Sequence, residues 1–167
     1  VDKGHRVFNN YFEGILGGAG SLSNMRAPIT LFNGSYSSGD TLNSAILNGE
    51  YLPADSAIVA YNTIVNGYSG AGIRLGYING GSNPYQPKGV KLANNIIKMA
   101  DGQAIDLNAA NTQLTYSPEG NVYNAPSGLG LSNSTGFTSN SLNFGSRTNG
   151  ILPPPTSGIQ DASVNTS

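Results

Sequence analysis

"VFNNYF", residues 7–12, places two asparagines inside a run of valine, phenylalanine and tyrosine. The pattern returns in "VAYNTIV" (59–65) and in "KLANNIIK" (91–98). Aligned on Asn10, Asn62 and Asn95, each copy has an apolar residue three positions before the asparagine and another two positions after it. Asparagine is depleted in ordinary strands because its amide competes for backbone hydrogen bonds. The alignment therefore predicts a repeated unit with asparagine at a bend.

A second alternating run follows each copy after a turn. A weaker fourth copy, "EGNVYNA", is anchored on Asn121. The second runs are "APITLFNG" (27–34), "GIRLGYING" (72–80), "QAIDLNAA" (103–110) and "GLGLSN" (128–133). Apolar residues fall two apart in each, as Ile29 and Leu31 do in the first. A period of two predicts a strand with one face turned inward.

The anchors are separated by 52, 33 and 26 residues. Constant strands with unequal spacing indicate stacked coils that carry loops of different lengths. We therefore expect an all-β fold, a right-handed single-stranded parallel β-helix. Equivalent asparagines would stack as a hydrogen-bonded ladder, at bends that need the tolerance of asparagine for left-handed backbone. The alternative is a β-sandwich with asparagine-rich turns.

Composition narrows the function. The chain of 167 residues has 8 Lys+Arg against 9 Asp+Glu, with 23 glycines, 21 asparagines and no cysteine. A net charge of −1 argues against bulk nucleic-acid binding and against a polybasic membrane surface. The lack of cysteine excludes disulfides and thiolate metal sites. We expect partners to be neither nucleic acid nor membrane.

The repeat also suggests a division of the chain. Coils with side loops are expected over 1–144, and a Pro/Ser-rich irregular segment over 145–167. Because the pattern starts without a cap, we expect upstream coils of the same protein, or a partner chain, to precede Val1.

The stretch "GHRVFNNYFEGILGGAG" (4–20) resembles polysaccharide lyase family 6, the chondroitinase-B-like family that includes many alginate lyases. The resemblance continues in order over roughly residues 4–110. Its further pieces are "RAPITLFNG" (26–34), "EYLPADSAIVAYNTIVNG" (50–67), "IRLGY" (73–77) and "VKLANNII" (90–97).

The resemblance implies a secreted or periplasmic lyase that cleaves an acidic, uronate-containing polysaccharide, such as alginate or dermatan/chondroitin, by β-elimination. It also implies a Ca²⁺ ion that neutralises the uronate carboxylate, a lysine base and an assisting arginine. The family's Lys-Ser-x-x-Asn and Arg-His-Gly strings do not occur in 1–167. No catalytic residue or metal ligand is therefore assigned. The alternative function is a non-catalytic β-helix that binds carbohydrate or mediates surface adhesion.

Five residues are candidates for substrate binding. Arg26 enters the strand of 27–34 from a loop, and Arg74 alternates with Ile73 and Leu75 and so faces outward. A guanidinium suits a sugar carboxylate or sulfate, although either arginine could simply solubilise its surface. Tyr51 and Tyr77 offer faces for sugar stacking. His5, the single histidine, can titrate near neutrality, although its neighbours favour a structural role.

Overall fold

The computed structural model describes residues 4–14, 27–34, 44, 47–48, 50–67, 70–77, 85–107, 113–144 and 155–157. The described residues are all-β apart from one helical turn, in which the Asn48 amide donates to the Ser44 carbonyl (2.9 Å). In chain order the strands are β1 (Arg6–Phe8), β2 (Tyr11–Glu13), β3 (Ile29–Phe32), β4 (Ile58–Ala60), β5 (Thr63–Gly67), β6 (Ala71–Tyr77), β7 (Val90–Ala93), β8 (Ile96–Met99), β9 (Gln103–Leu107), β10 (Tyr116–Glu119), β11 (Asn121–Asn124), β12 (Phe137–Ser139), β13 (Asn143–Phe144) and β14 (Pro155–Ser157).

Three stacked sheets of parallel strands contain most of these elements. The first sheet has the order β1-β4-β7-β10, the second β12-β11-β8-β5-β2, and the third β3-β6-β9. From β1 to β9 the chain visits the three sheets in the same cyclic order three times. Pairing between the described strands of these sheets is parallel throughout, which disagrees with the antiparallel pairing of a β-sandwich.

The four anchor asparagines form a continuous ladder, as the alignment predicted. Nδ2 of Asn10 donates to Oδ1 of Asn62 (3.0 Å), Nδ2 of Asn62 to Oδ1 of Asn95 (3.0 Å), and Nδ2 of Asn95 to Oδ1 of Asn121 (2.9 Å). Each accepting oxygen also receives the backbone amide of the asparagine that donates to it, at 3.0–3.1 Å. Asn62, Asn95 and Asn121 are buried, so these bonds satisfy polar groups that water does not reach.

The residue before each anchor supplies the bend. Asn9, Tyr61, Asn94 and Gly120 have φ values of 53°, 56°, 52° and 61°. This left-handed conformation is favourable for glycine and tolerated by asparagine. In each Asn-Asn pair the first asparagine therefore turns the chain and the second joins the ladder.

Apolar side chains stack in columns inside the sheets. Val7 pairs with Val59 and Val59 with Leu92 in the first sheet, and Ile64 pairs with Ile97 in the second. Val59, Leu92, Ile64 and Ile97 are fully buried. Burying a side chain of this size contributes about 1.5–3 kcal/mol, whereas one hydrogen bond contributes about 1 kcal/mol. The columns therefore supply most of the stability, and the ladder fixes the register.

The fourth copy departs from the pattern in its second half. The sequence predicts a strand in residues 128–133, and this prediction is wrong, because the segment has bends and no strand. Gly128 and Gly130 have φ values of 77° and 85°, which no strand adopts. Leu129 is nevertheless buried, and its carbonyl accepts the amide of Ile105 (2.8 Å). Leu129 therefore takes the inward position expected from the repeat, although the segment is not a strand.

The end of the chain contains one further strand pair. Within 145–167, where the sequence predicts irregular structure, β14 pairs antiparallel with β13. The other residues of that segment lie outside the described part of the chain.

Candidate functional site

The outward face of the third sheet carries a polar column. Ile73 and Leu75 are fully buried, so the alternation of β6 places Arg74 on the opposite face. Parallel register sets Thr30 of β3 on one side of Arg74 and Asp106 of β9 on the other. Three sequence-distant residues thus stand side by side.

Arg74 and Asp106 form an ion pair. Arg74 Nε lies 2.5 Å from Asp106 Oδ2, and the two side chains are 13% and 24% exposed. Nε nevertheless makes no hydrogen bond, so charge rather than a well-aligned N–H···O bond holds the contact. Asp106 Oδ1 accepts from Nε2 of Gln103 (3.1 Å). Both carboxylate oxygens therefore have partners.

Two aromatic rings extend this face. The guanidinium carbon of Arg74 lies 5.2 Å from the centroid of the Tyr77 ring, within the range of a cation–π contact. The Phe32 ring meets Tyr77 edge-on, with centroids 5.5 Å apart and an interplanar angle of 74°. Phe32 is 48% exposed. The pair presents an apolar surface next to a cation.

A pocket of about 390 Å³ opens beside these rings. Its lining consists of His5, Val7, Thr30, Leu31, Phe32, Leu52 and Ala54. Thr30 and Phe32 belong both to the pocket and to the outward face of the third sheet. The pocket adjoins the outward face at Thr30 and Phe32, whereas Val7 and Leu31 of its lining belong to the inward face. We call the outward cluster of Thr30, Phe32, Arg74, Tyr77 and Asp106 the third-sheet site.

His5 lines the pocket that adjoins this site, and its position follows from the strand pairing. Its carbonyl accepts the amide of Ile58 (2.7 Å), just as the carbonyl of Ala57 accepts the amide of Lys91 (2.8 Å). His5 therefore occupies the position equivalent to the buried Ala57, yet it is exposed and lines the pocket.

The remaining candidates are less central. Tyr51 is 80% exposed and precedes Leu52 of the pocket lining. Arg26 lies outside the described residues. The structure thus places Arg74 and Tyr77 in the third-sheet site, His5 in the adjoining pocket, and Tyr51 next to that pocket in sequence.

Sequence reasoning missed Phe32, Gln103 and Asp106. The alternation that turns Ile29 and Leu31 inward also turns Phe32 outward, so Phe32 could have been found. Asp106 could have been recognised as the neighbour of Arg74 only once β6 and β9 were known to pair.

The described residues do not fit a calcium site. Within that part of the chain, no group of three or more histidine, aspartate or glutamate side chains is placed to hold a metal ion. Asp106 contacts Arg74, and Glu119 Oε2 lies 3.3 Å from Lys91 Nζ. Carboxylates that already form ion pairs with arginine or lysine are poor calcium ligands.

The third-sheet site combines features that recognise sugars. Aromatic faces stack on the C–H surface of a pyranose ring, while arginine and carboxylate groups bond to its hydroxyl or acid groups. No lysine contributes to the described lining of the pocket or to the contacts of Arg74. The described site therefore combines aromatic rings with a guanidinium and a carboxylate, and no amine base is among these groups.

No family model, curated protein or solved structure matches the chain. In the part of the chain that the structure describes, no helix is long and apolar enough to cross a membrane.

Proposed function

We propose that the chain is a section of a right-handed single-stranded parallel β-helix that binds an acidic polysaccharide along its third-sheet site. The cyclic order of parallel strands supports the coil, and parallel crossovers are right-handed in nearly all proteins. The observation that carries the binding proposal is the placement of the Arg74 guanidinium against Tyr77, with Phe32 exposed beside it.

The proposed ligand is a uronate-containing chain such as alginate or dermatan/chondroitin. A sugar ring would stack on the exposed Phe32 ring beside Tyr77, and its carboxylate would approach the guanidinium of Arg74. Among the described residues, Asp106 lies at the Nε side of this guanidinium and the Tyr77 ring lies 5.2 Å from its carbon atom. The resemblance of residues 4–110 to polysaccharide lyase family 6 supports this ligand class.

In the same proposal the chain supplies the substrate wall of a secreted or periplasmic lyase. The base and a Ca²⁺ site would come from further coils of the same protein or from a partner chain, because the described residues fit neither role. When bound, the Ca²⁺ ion would neutralise the charge of the uronate carboxylate. Arg74, Tyr77 and Phe32 would position the chain for that chemistry.

The experiment that tests binding is titration calorimetry with oligosaccharides of polymannuronate and of dermatan sulfate. The variants are Arg74→Gln and, as a matched control, Lys91→Gln. Lys91 is an ion-paired cation of the first sheet, so both substitutions remove one positive charge. We expect Arg74→Gln to weaken binding about tenfold and Lys91→Gln to leave it unchanged. Equal affinity of wild type and both variants would overturn the proposal.

A second function is favoured by the same open aromatic pair, which suits a carbohydrate-binding or adhesion module without catalysis. The two functions differ in whether unsaturated uronate ends form. These ends are measured by ultraviolet absorbance in the presence of calcium. Binding without such ends, even when coils bearing the family's lysine and calcium ligands are supplied, favours the module. Formation of the ends only in that reconstituted protein favours the lyase.

A further inference from the structure

Asp106 stands where it can compete with a ligand for Arg74. The two residues are direct register partners on β6 and β9, on the outward face of the third sheet. Oδ2 of Asp106 occupies the Nε side of the guanidinium, at 2.5 Å, and the Tyr77 ring lies 5.2 Å from the guanidinium carbon. Arg74 thus has a protein carboxylate within its reach before any ligand arrives.

The contact is weaker than an ideal arginine–carboxylate pair. A strong pair is bidentate, with two parallel N–H···O bonds. Here Nε makes no hydrogen bond, and Asp106 uses its second oxygen to accept from Gln103. Asp106 is also 24% exposed, so water can reach it and the pair can open.

A uronate carboxylate has the same charge and geometry as the side chain of Asp106. Two carboxylates close to one guanidinium repel each other, since like charges at a shared site disfavour their ionised forms. A sugar without a carboxylate meets no such repulsion. The pair therefore penalises acidic ligands relative to neutral ones.

We propose that Asp106 sets the charge specificity of the third-sheet site by occupying Arg74 in the absence of ligand. This inference rests on the proposed function, since it requires that a saccharide binds at this site. Asp106 is a positioning residue that acts through Arg74 and need not touch the sugar. Gln103 holds Asp106 in place through its 3.1 Å hydrogen bond.

The test compares two ligands of the same length, a polymannuronate oligosaccharide and its carboxyl-reduced form. Affinities are measured by calorimetry for wild type, Asp106→Asn, Asp106→Glu and Glu119→Gln. Glu119→Gln is the matched control, because it removes one negative charge from an ion pair of the first sheet. Thermal unfolding confirms that each variant is folded, and Asp106→Ser replaces Asp106→Asn if the latter is not.

We expect Asp106→Asn to raise affinity for the acidic oligosaccharide about fivefold and to leave the reduced one within about twofold. Asp106→Glu should keep the wild-type ratio of the two affinities. The gain should shrink at about 1 M salt, where charges are screened within about 3 Å.

An unchanged ratio in Asp106→Asn, with wild type binding the acidic oligosaccharide, would overturn this inference and leave the proposed function standing. An equal gain in Glu119→Gln would also overturn it, because the effect would then follow net charge alone. If wild type does not bind the acidic oligosaccharide, the proposed function is overturned. If it binds neither ligand, this inference is overturned as well.

Discussion

Oδ1 of Asn95 accepts two hydrogen bonds from the same residue, one from the backbone amide of Asn62 (3.1 Å) and one from its Nδ2 (3.0 Å). The second Nδ2 proton of Asn62 is shared between the carbonyls of Val7 (2.7 Å) and Ala60 (3.1 Å). One amide thus joins three successive copies of the repeat. This explains why asparagine, a poor strand former, occurs inside each repeat.

Asn62→Ala should therefore be strongly destabilising. The substitution removes the acceptor of the Asn10 amide and the donor to Asn95, leaving buried polar groups without partners. We expect a loss of about 2–4 kcal/mol in the free energy of unfolding, measured by denaturant titration. Asn124→Ala is the control, since Asn124 in β11 makes no hydrogen bond through its side chain within the described residues. Equal losses in the two variants would contradict a special role for the ladder.

Substitutions at Asn9 test whether the bend requires a residue that tolerates left-handed backbone. It is exposed, with φ 53°, so its side chain packs against little. Asn9→Val should lower the free energy of unfolding by about 1–2 kcal/mol, because a β-branched residue is strained in this conformation. Asn9→Gly should change it by only a few tenths of a kcal/mol, to be checked by thermal and denaturant unfolding. A Gly variant as unstable as the Val variant would show that the side chain, not the backbone, matters.

Gly72 should not tolerate a larger residue. A Cβ atom at this position would lie 2.5 Å from Ile97 Cγ2 and 2.9 Å from the Ala104 carbonyl oxygen. We expect Gly72→Ala to cost about 1–3 kcal/mol in the free energy of unfolding. Gly67→Ala is a milder comparison, since its Cβ would meet Met99 Cε (2.9 Å), the flexible end of a side chain. Identical melting temperatures for wild type and Gly72→Ala would rule out this close packing.

The two ion pairs should differ in their contribution to stability. Arg74 and Asp106 are 13% and 24% exposed, whereas Lys91 and Glu119 are 40% and 34% exposed. Glu119→Gln should change the free energy of unfolding by less than about 1 kcal/mol, as is usual for surface pairs. Asp106→Asn should cost more, because it leaves a mostly covered guanidinium without its counter-charge. The reverse order in chemical denaturation would contradict the geometry of the site.

Phe32 should contribute to saccharide affinity through its exposed ring. Phe32→Ala removes the partner of Tyr77 and one wall of the pocket. We expect about a fivefold loss of affinity for a polymannuronate oligosaccharide, equivalent to about 1 kcal/mol. Phe8→Ala is the control, since Phe8 is a 37% exposed phenylalanine of the first sheet. A loss of the same size in both variants would argue for a general effect of surface aromatics.

The sequence by itself determined the repeat. The spacing of apolar residues around Asn10, Asn62, Asn95 and Asn121 predicted both the ladder and the inward columns. This was possible because a parallel stack repeats one local environment, so equivalent positions need the same residue type. The prediction failed in 128–133, where two glycines with positive φ replace the expected strand.

Only the tertiary structure decided the site. Arg74 was recognised as outward-facing from alternation, but its partner Asp106 is 32 residues away along the chain and became a neighbour through the register of β6 and β9. Phe32 contacts Tyr77 because the register of β3 and β6 shifts between Leu31 and Phe32, which the sequence does not predict. Local periodicity fixes which face a side chain takes, whereas the register between paired strands fixes which side chains meet.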